Sequence, residues 1–146
     1  ARMIKAGEDP MFIARRMVIF ASEDIGNARP NALVLAVSCM DAVKMIGMPE
    51  SSLILSQTAT YLATCPKSIA STTALYEALA DIDVDNMGII PLHLRNAPNK
   101  YMESLGYGKG HTRYPWKVEK ETGKKIKQQY LPDNLKNKKY YRIDWN

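Results

Sequence analysis

The side chains that most often perform chemistry are few in this chain, and their spacing matches no catalytic or metal site. His93 and His111 have no thiol or carboxylate at a ligand spacing around them, so they do not predict a metal site. We expect His93 to be a hydrogen-bonded structural residue. Cys39 and Cys65 form no CxxC motif, and we expect both to be reduced thiols packed in or beside helices. No Ser/His/Asp or Cys/His motif is recognisable, although triad residues can be distant in sequence. The sequence therefore predicts no catalytic, cofactor-binding or metal-binding residue.

Two further features resemble parts of a nucleotide site without matching one. The segment GYGKGHT at 106–112 lacks the glycine-to-lysine spacing of a phosphate-binding loop and the strand that precedes such a loop, so we interpret it as a turn-rich connection. Arg15 and Arg16 could suggest an arginine finger. Arginines in the middle of a helix more often cover apolar surface or pair with acids. We therefore expect this chain alone neither to bind nor to hydrolyse ATP.

Prolines and glycines divide the first part of the chain into helices. Asp9 suits an N-cap, Pro10 the first helical position and Gly26 a left-handed end, which predicts a helix over 10–25. Pro30, Pro49 and Pro66 each precede another run that is compatible with a helix. The last of these predicted helices covers 66–82, and 83–90 form a connection. A short helix is expected over 99–106, and the lysine-rich stretch 117–129, with a glycine in its middle, suggests an exposed hairpin or loop.

These elements predict an all-α fold. We expect one domain in which residues 1–90 form an array of about five helices and residues 91–146 form a short helix with an irregular, basic, aromatic-rich extension. The chain is long enough for one real core, and its 46% apolar and 24% charged residues are ordinary for a globular protein. Its apolar runs are too short for a membrane span and no signal peptide opens it, so we expect an intracellular protein without membrane contact.

Charge and aromatic residues are unevenly distributed along the chain. The net charge is −3 over 1–90 and +8 over 91–146, and eight of the twelve aromatic residues lie in the second part. Basic side chains interleaved with aromatic rings suit nucleic acids. The rings could instead anchor the extension across the helices, because each buries a large area. Both interpretations stay open, and the candidate DNA contacts are Lys109, Arg113, Lys124, Lys125 and Lys127.

The helix after Pro30 is apolar on nearly every side, which predicts that it is buried nearly all round. In a domain this small, such a helix is either the centre of the bundle or faces a neighbouring subunit. The pattern does not separate these two alternatives. The candidate residues for an oligomer surface on this helix are Leu33, Val34, Val37, Met40 and Met45.

Two acids and one lysine oppose the helix dipole. Glu23 and Asp24 fall in the last turn of the first long helix, and Lys67 falls in the first turn of a later one. We expect one of the acids to be held by a cation or by that later helix start, the candidates being Arg15, Arg16, Arg95 and the Lys67–Ser68 pair. Alternatively, Lys67 and Ser68 contact a phosphate of DNA, or the acids are simply solvated.

Six motifs in order give the chain a family resemblance. They are GEDPMFIARRMVIFASEDIGNARPNA at 7–32, GMPE at 47–50, YLATCPKS at 61–68, PLHLRNAP at 91–98, GYGKG at 106–110 and QQYLPDNL at 128–135. Together they resemble the C-terminal region of the replication-associated recombination ATPases. That family includes RarA/MgsA and the Werner-helicase-interacting protein and is related to clamp loaders.

The resemblance implies a AAA+ ATPase that acts at stalled replication forks and assembles into tetramers through this region. It places ATP and Mg²⁺ in a preceding module that this chain lacks, and we expect the chain to be an excised fragment. We therefore expect an oligomerisation domain, with tetramers favoured, in a nucleus or in a bacterial cytoplasm or nucleoid. The alternative is a module that binds fork DNA through its basic extension. A docking surface for another replication protein is a third possibility.

Overall fold

The computed structural model describes residues 1–82 and 87–145, and all regular structure within those ranges is helical. The predicted all-α class is confirmed. The chain forms two compact units. The first, which we call the core unit, comprises Ala1–Leu79 and Tyr140–Asn146, and the second, the basic unit, comprises Ala80–Lys139. The sequence patterns predict a division at residue 90 and give no sign that the C-terminal residues belong with the first helices.

The described part of the core unit contains five α-helices. They are α1 (Arg2–Lys5), α2 (Pro10–Phe20), α3 (Asn31–Ile46), α4 (Ser51–Thr64) and α5 (Ala70–Asp81), the last of which runs two residues past the unit boundary. A π-helical turn (Ala21–Ile25) and a 3-10 turn (Gly26–Ala28) continue α2. The predicted helical run over 10–25 is thus present, but its last part is wound as a π-turn.

The start of α2 follows the predicted capping chemistry. The Asp9 carboxylate accepts hydrogen bonds from the backbone N–H groups of Met11 and Phe12 at 2.9 and 3.2 Å, and Pro10 occupies the first helical position. Gly26, at φ +49°, follows the π-turn. This local sequence therefore fixes both ends of the helical run.

The core lies between α2, α3 and α4 in two clusters. One cluster contains Ala21, Ile25, Ala36 and Leu62, and the other contains Ile13, Ala14, Cys39, Val43 and Leu55. The small residues on α2 and α3 let these helices approach closely, while Leu55 and Leu62 fill the space beneath them. Both cysteines are buried free thiols, as predicted.

The basic unit contains short helices joined by irregular segments. They are α6 (Lys100–Ser104), α7 (Pro115–Thr122) and 3-10 turns at Leu92–Leu94 and Asp133–Leu135. The short helix predicted over 99–106 is present as α6, capped by the Asn99 side chain. The loop or hairpin predicted over 117–129 is wrong up to residue 122, because Pro115 at the helix start and Gly123 in the left-handed conformation enclose α7.

The helix predicted over 66–82 begins four residues late. Cys65 is already extended, the chain stays irregular through Ile69, and α5 starts at Ala70. Lys67 and Ser68 therefore precede the helix and do not form its first turn. Of the connection predicted over 83–90, residues 83–86 lie outside the described part of the chain.

Candidate interaction surface

One face of α3 packs in the core. Ala32, Ala36, Cys39 and Val43 recur every three or four residues, and all four are buried. This face packs against α2 and α4. α3 therefore packs against the rest of the core unit through this one stripe of buried residues.

The other side of α3 is apolar and exposed. Val34 and Met45 are 65% and 79% exposed, and Leu33 and Val37 are also exposed. Met40 is half-buried and packs against the core cluster that contains Cys39. Of the two alternatives that the sequence leaves open, the exposures within this chain do not fit a central helix enclosed on every side. Four of the five predicted surface residues are exposed. The buried stripe that packs in the core lies on the opposite side of the helix.

Two opposite charges interrupt this exposed side. Asp41 and Lys44 are both exposed, and neither forms an ion pair among the residues that the structure describes. They lie three residues apart, on the same side of the helix as Val34 and Val37. Met48, just past the helix end, and Leu53, near the start of α4, add further exposed apolar surface. We call the set Leu33, Val34, Val37, Asp41, Lys44 and Met45 the α3 face.

The residues predicted to neutralise Glu23 and Asp24 lie in several places. Arg15 pairs with Asp9 at 3.5 Å, and Arg95 lies in the basic unit, where it donates to the Ile90 carbonyl and the Tyr107 hydroxyl. Arg16 is exposed on α2. The Lys67 ammonium donates to the Leu62 carbonyl at 2.7 Å and lies over the Phe20 ring. No ion pair to Glu23 or Asp24 occurs among the described residues.

The segment before α5 and the first turn of α5 nevertheless contact the backbone carbonyls of the π-turn. The Ser68 N–H donates to the Asp24 carbonyl at 2.8 Å, and the Thr72 hydroxyl donates to the Glu23 carbonyl at 3.3 Å. A π-turn at a helix end leaves carbonyls that need donors from outside the helix. The carbonyls of these two residues, and not their carboxylates, are what α5 and the chain before it recognise.

Sequence reasoning missed the C-terminal partner of Ser68. The Asp144 carboxylate accepts from the Ser68 hydroxyl and from the Ile69 N–H, the latter at 3.1 Å. Ser68 is 4% exposed, and its oxygen accepts from the Ala70 N–H. Arg142 pairs with Glu77 at 3.0 Å, and Asn27 donates to the Tyr141 hydroxyl at 3.1 Å. These side-chain contacts attach the last residues to α5 and to the turn before α3. Local patterns carry no signal for them, because the partners lie far apart in sequence.

The candidate DNA contacts all lie in the basic unit. Lys109, Arg113, Lys124, Lys125 and Lys127 are exposed, and Lys109 and Lys127 line the same groove of about 160 Å³. The basic unit holds twelve Lys and Arg residues against seven Asp and Glu residues, whereas the core unit holds eight of each. The whole net charge of +5 therefore belongs to the basic unit.

Hydrogen bonds connect the distant segments that line this groove. His93 Nε2 donates to the Gln129 carbonyl at 2.8 Å, which confirms the structural role predicted for this histidine, and the His111 ring stacks on it. The Thr112 N–H donates to the Gln128 amide oxygen at 2.7 Å. In the described ranges, no cluster of three or more His, Cys, Asp or Glu residues could hold a metal ion. No helix in those ranges is long and apolar enough to cross a membrane.

Comparisons with known proteins agree with the resemblance in the sequence. The family model described as MgsA AAA+ ATPase C terminal matches residues 1–146. An uncharacterised AAA domain-containing protein of Mycobacterium tuberculosis is 47% identical over 97% of this chain and 30% of its own length. Replication-associated recombination protein A of Escherichia coli is 38% identical over 97% of this chain and 31% of its own length. The ATPase WRNIP1 of Dictyostelium discoideum is 38% identical over 96% of this chain and 16% of its own length.

The chain thus spans less than a third of the length of these relatives. The match of the family model over every residue and the identities above 30% give the same assignment. The chain belongs to the family of MgsA AAA+ ATPase C-terminal regions, which replication-associated recombination protein A shares.

Proposed function

We propose that this chain is the self-association region of a AAA+ ATPase of replication-associated recombination. The observation that carries the proposal is the α3 face, where four apolar side chains are exposed around one Asp and one Lys on a helix whose other side holds the core. Several large apolar side chains exposed on one helix face are typical of protein–protein contacts. A second copy of the same chain is the partner we propose, and a tetramer is the favoured assembly.

The proposed mechanism is geometric. Self-association through the core unit holds the ATPase modules of neighbouring subunits together and raises their effective concentration, so that residues of one subunit can reach the nucleotide of the next. ATP and Mg²⁺ are bound by the AAA+ module of the longer protein, and this chain turns over no ATP alone. A phosphate-release assay on the purified chain tests that statement, and turnover above background would contradict it.

Light scattering coupled to size-exclusion chromatography tests the self-association itself. We expect the chain to form an oligomer, and we expect Val34→Glu and Met45→Glu to weaken its association at least about tenfold, because each places a charge in an apolar contact. Leu75→Glu is the matched control, since Leu75 is 56% exposed on α5 and lies outside the α3 face. A wild-type chain that stays monomeric at high concentration would overturn the proposal.

The charge of the basic unit favours a second candidate function, the binding of fork DNA. Its net charge of +5 and its exposed rings, Trp116 at 67% and Tyr130 at 56%, suit phosphates and unstacked bases. Fluorescence titration of forked DNA at several salt concentrations is the test. If the unit binds DNA through all three lysines, replacing Lys124, Lys125 and Lys127 by Ala lowers the salt slope by about two to three, since each phosphate contact contributes ~0.7 to 0.9. Replacing Lys5, Arg16 and Arg29 by Ala is the control in the core unit.

A further inference from the structure

We propose that α3 pairs antiparallel with α3 of a second copy about a two-fold axis, and that Asp41 and Lys44 form reciprocal ion pairs at its centre. The inference rests on the proposed self-association and specifies its geometry. It names the register, the direction of the two helices and the pair of residues that selects them.

The exposed residues of α3 are spaced so that they form one line along the helix. Val34, Val37, Asp41 and Lys44 are separated by three, four and three residues, and all four are exposed. Positions at this spacing form one continuous line along a helix, and such a line faces a partner helix in helix–helix packing. The buried stripe of α3 already contacts α2 and α4, so this second line is the one available to another helix.

The charges select the direction of the pairing. In a parallel two-fold pair, Asp41 would face Asp41 of the second copy, and Lys44 would face its own equivalent. Like charges opposite each other are destabilising. In an antiparallel pair each Asp41 can face a Lys44 and each Lys44 an Asp41, so that both contacts are attractive. Neither residue has an ion-pair partner within the described part of its own chain, and both are exposed.

The charges also select the register. If the axis passes between Asp41 and Lys44, residues of α3 whose numbers add to 85 lie opposite each other, so that residues 39–46 of the two copies overlap and Met45 of one copy lies level with Met40 of the other. Val34 and Val37 then extend beyond Ile46, the last residue of the partner's α3, and Met48 is exposed just past that end. In the register that overlaps the two helices fully, residues whose numbers add to 77 lie opposite each other, so Asp41 would face Ala36 and Lys44 would face Leu33. The register with reciprocal ion pairs therefore places charge opposite charge, whereas full overlap places each charge opposite an apolar residue.

The apolar residues supply most of the affinity in this arrangement, and the ion pairs supply its specificity. Exposed ion pairs add little to stability, whereas a like-charge contact at the same place opposes association. Reversing one charge therefore weakens the pairing more than neutralising it does. This asymmetry makes charge reversal the sharper experiment.

Charge reversal and mixing test the proposal by analytical ultracentrifugation. We expect Asp41→Lys and Lys44→Asp each to weaken self-association at least about tenfold. The double variant D41K/K44D restores it, because the reciprocal pairs are present again with exchanged positions. Mixing the two single variants also restores association, since a lysine introduced at position 41 then faces an aspartate introduced at position 44.

Mixing separates this contact from an effect within one helix. In each single variant the two positions of one helix carry like charges, so a purely intrahelical role predicts no rescue on mixing. Circular dichroism confirms that each variant keeps its helices, and Glu103→Lys, the reversal of an exposed acid on α6 in the basic unit, is the control. Association of the single variants at wild-type strength, or no rescue on mixing, overturns the pairing while leaving the self-association proposal in place. A monomeric wild type overturns both.

Discussion

Asp144 shows how a single residue at one end of the chain completes a helix far away in sequence. Its carboxylate accepts from the Ile69 N–H and the Ser68 hydroxyl, just before the first turn of α5. The N–H groups at a helix start have no partners within the helix, and a carboxylate there also interacts favourably with the helix dipole. The residue therefore serves the same purpose as a local N-cap.

This contact leads to a prediction for stability. We expect Asp144→Ala to lower the free energy of unfolding of the core unit by about 1–2 kcal/mol, the typical loss when a cap is removed. Arg142→Ala is the comparison, and its exposed ion pair with Glu77 contributes about 0–1 kcal/mol. Urea titration followed by circular dichroism measures both. Equal, negligible losses for the two variants would show that Asp144 does not act as a cap.

The sequence predicts a helix cap when the capping residue is next to the helix, but not when it is distant in the chain. Asp9 and Asn99 cap helices that begin within three residues of them, so their roles follow from local order. Asp144 lies 75 residues from Ile69, and no periodicity connects the two. The expected charge pairs of Glu23 and Asp24 failed to appear among the described residues for a related reason. The packing of α5 decides which groups reach the π-turn, and the groups that reach it bind the backbone carbonyls of Glu23 and Asp24.

At the scale of elements, Gly26 limits how the π-turn can end. Its φ of +49° is one that residues with a Cβ adopt at a cost, and a Cβ there would lie 3.2 Å from the Ser68 carbonyl oxygen. The same backbone region carries the hydrogen bond from the Ser68 N–H to Asp24. A side chain at this position would therefore strain the π-turn and push the segment before α5 away.

We expect Gly26→Ala to destabilise the core unit by about 1–3 kcal/mol, because backbone strain and a close contact act together. Gly47→Ala is the matched control: Gly47 also has a positive φ, at +74°, and lies in the core unit, but nothing lies within 4 Å of the added Cβ. Thermal unfolding monitored by circular dichroism compares the two. A loss for Gly26→Ala no larger than that for Gly47→Ala would mean that the contact with Ser68 relaxes freely.

The helices that the sequence predicts best are those with a capping residue, a proline or a glycine at each end. The helical run from Pro10 and the short helix α6 follow from their caps and glycines. The same signals enclose α7, where Pro115 and Gly123 outweigh the polar, lysine-rich composition that suggested a loop. The start of α5 differs from the prediction because Pro66 follows the end of α4 and begins an irregular segment that runs through Ile69. The contacts that fix this segment come from the π-turn and from Asp144.

At the scale of the whole molecule, the two units differ in how much of their surface is buried. All fully buried apolar residues among those described, including Leu55 and Leu62, belong to the core unit. The described part of the basic unit contains no buried residue. Since burial of apolar area is the main source of folding free energy, the basic unit should be the less stable of the two. The sequence anticipated the charge difference between its two parts but not this division, because the last seven residues return to the core unit.

The two tryptophans allow this difference in stability to be measured, since Trp116 lies in the basic unit and Trp145 in the core unit. Trp145→Phe leaves a reporter for the basic unit, and Trp116→Phe leaves one for the core unit. In urea we expect the fluorescence transition of Trp116 to precede that of Trp145. Adding Leu55→Ala, which removes a buried side chain worth about 2–5 kcal/mol, should lower the midpoint of the Trp145 transition alone. Coincident transitions that move together with Leu55→Ala would instead show that the chain unfolds as one cooperative unit.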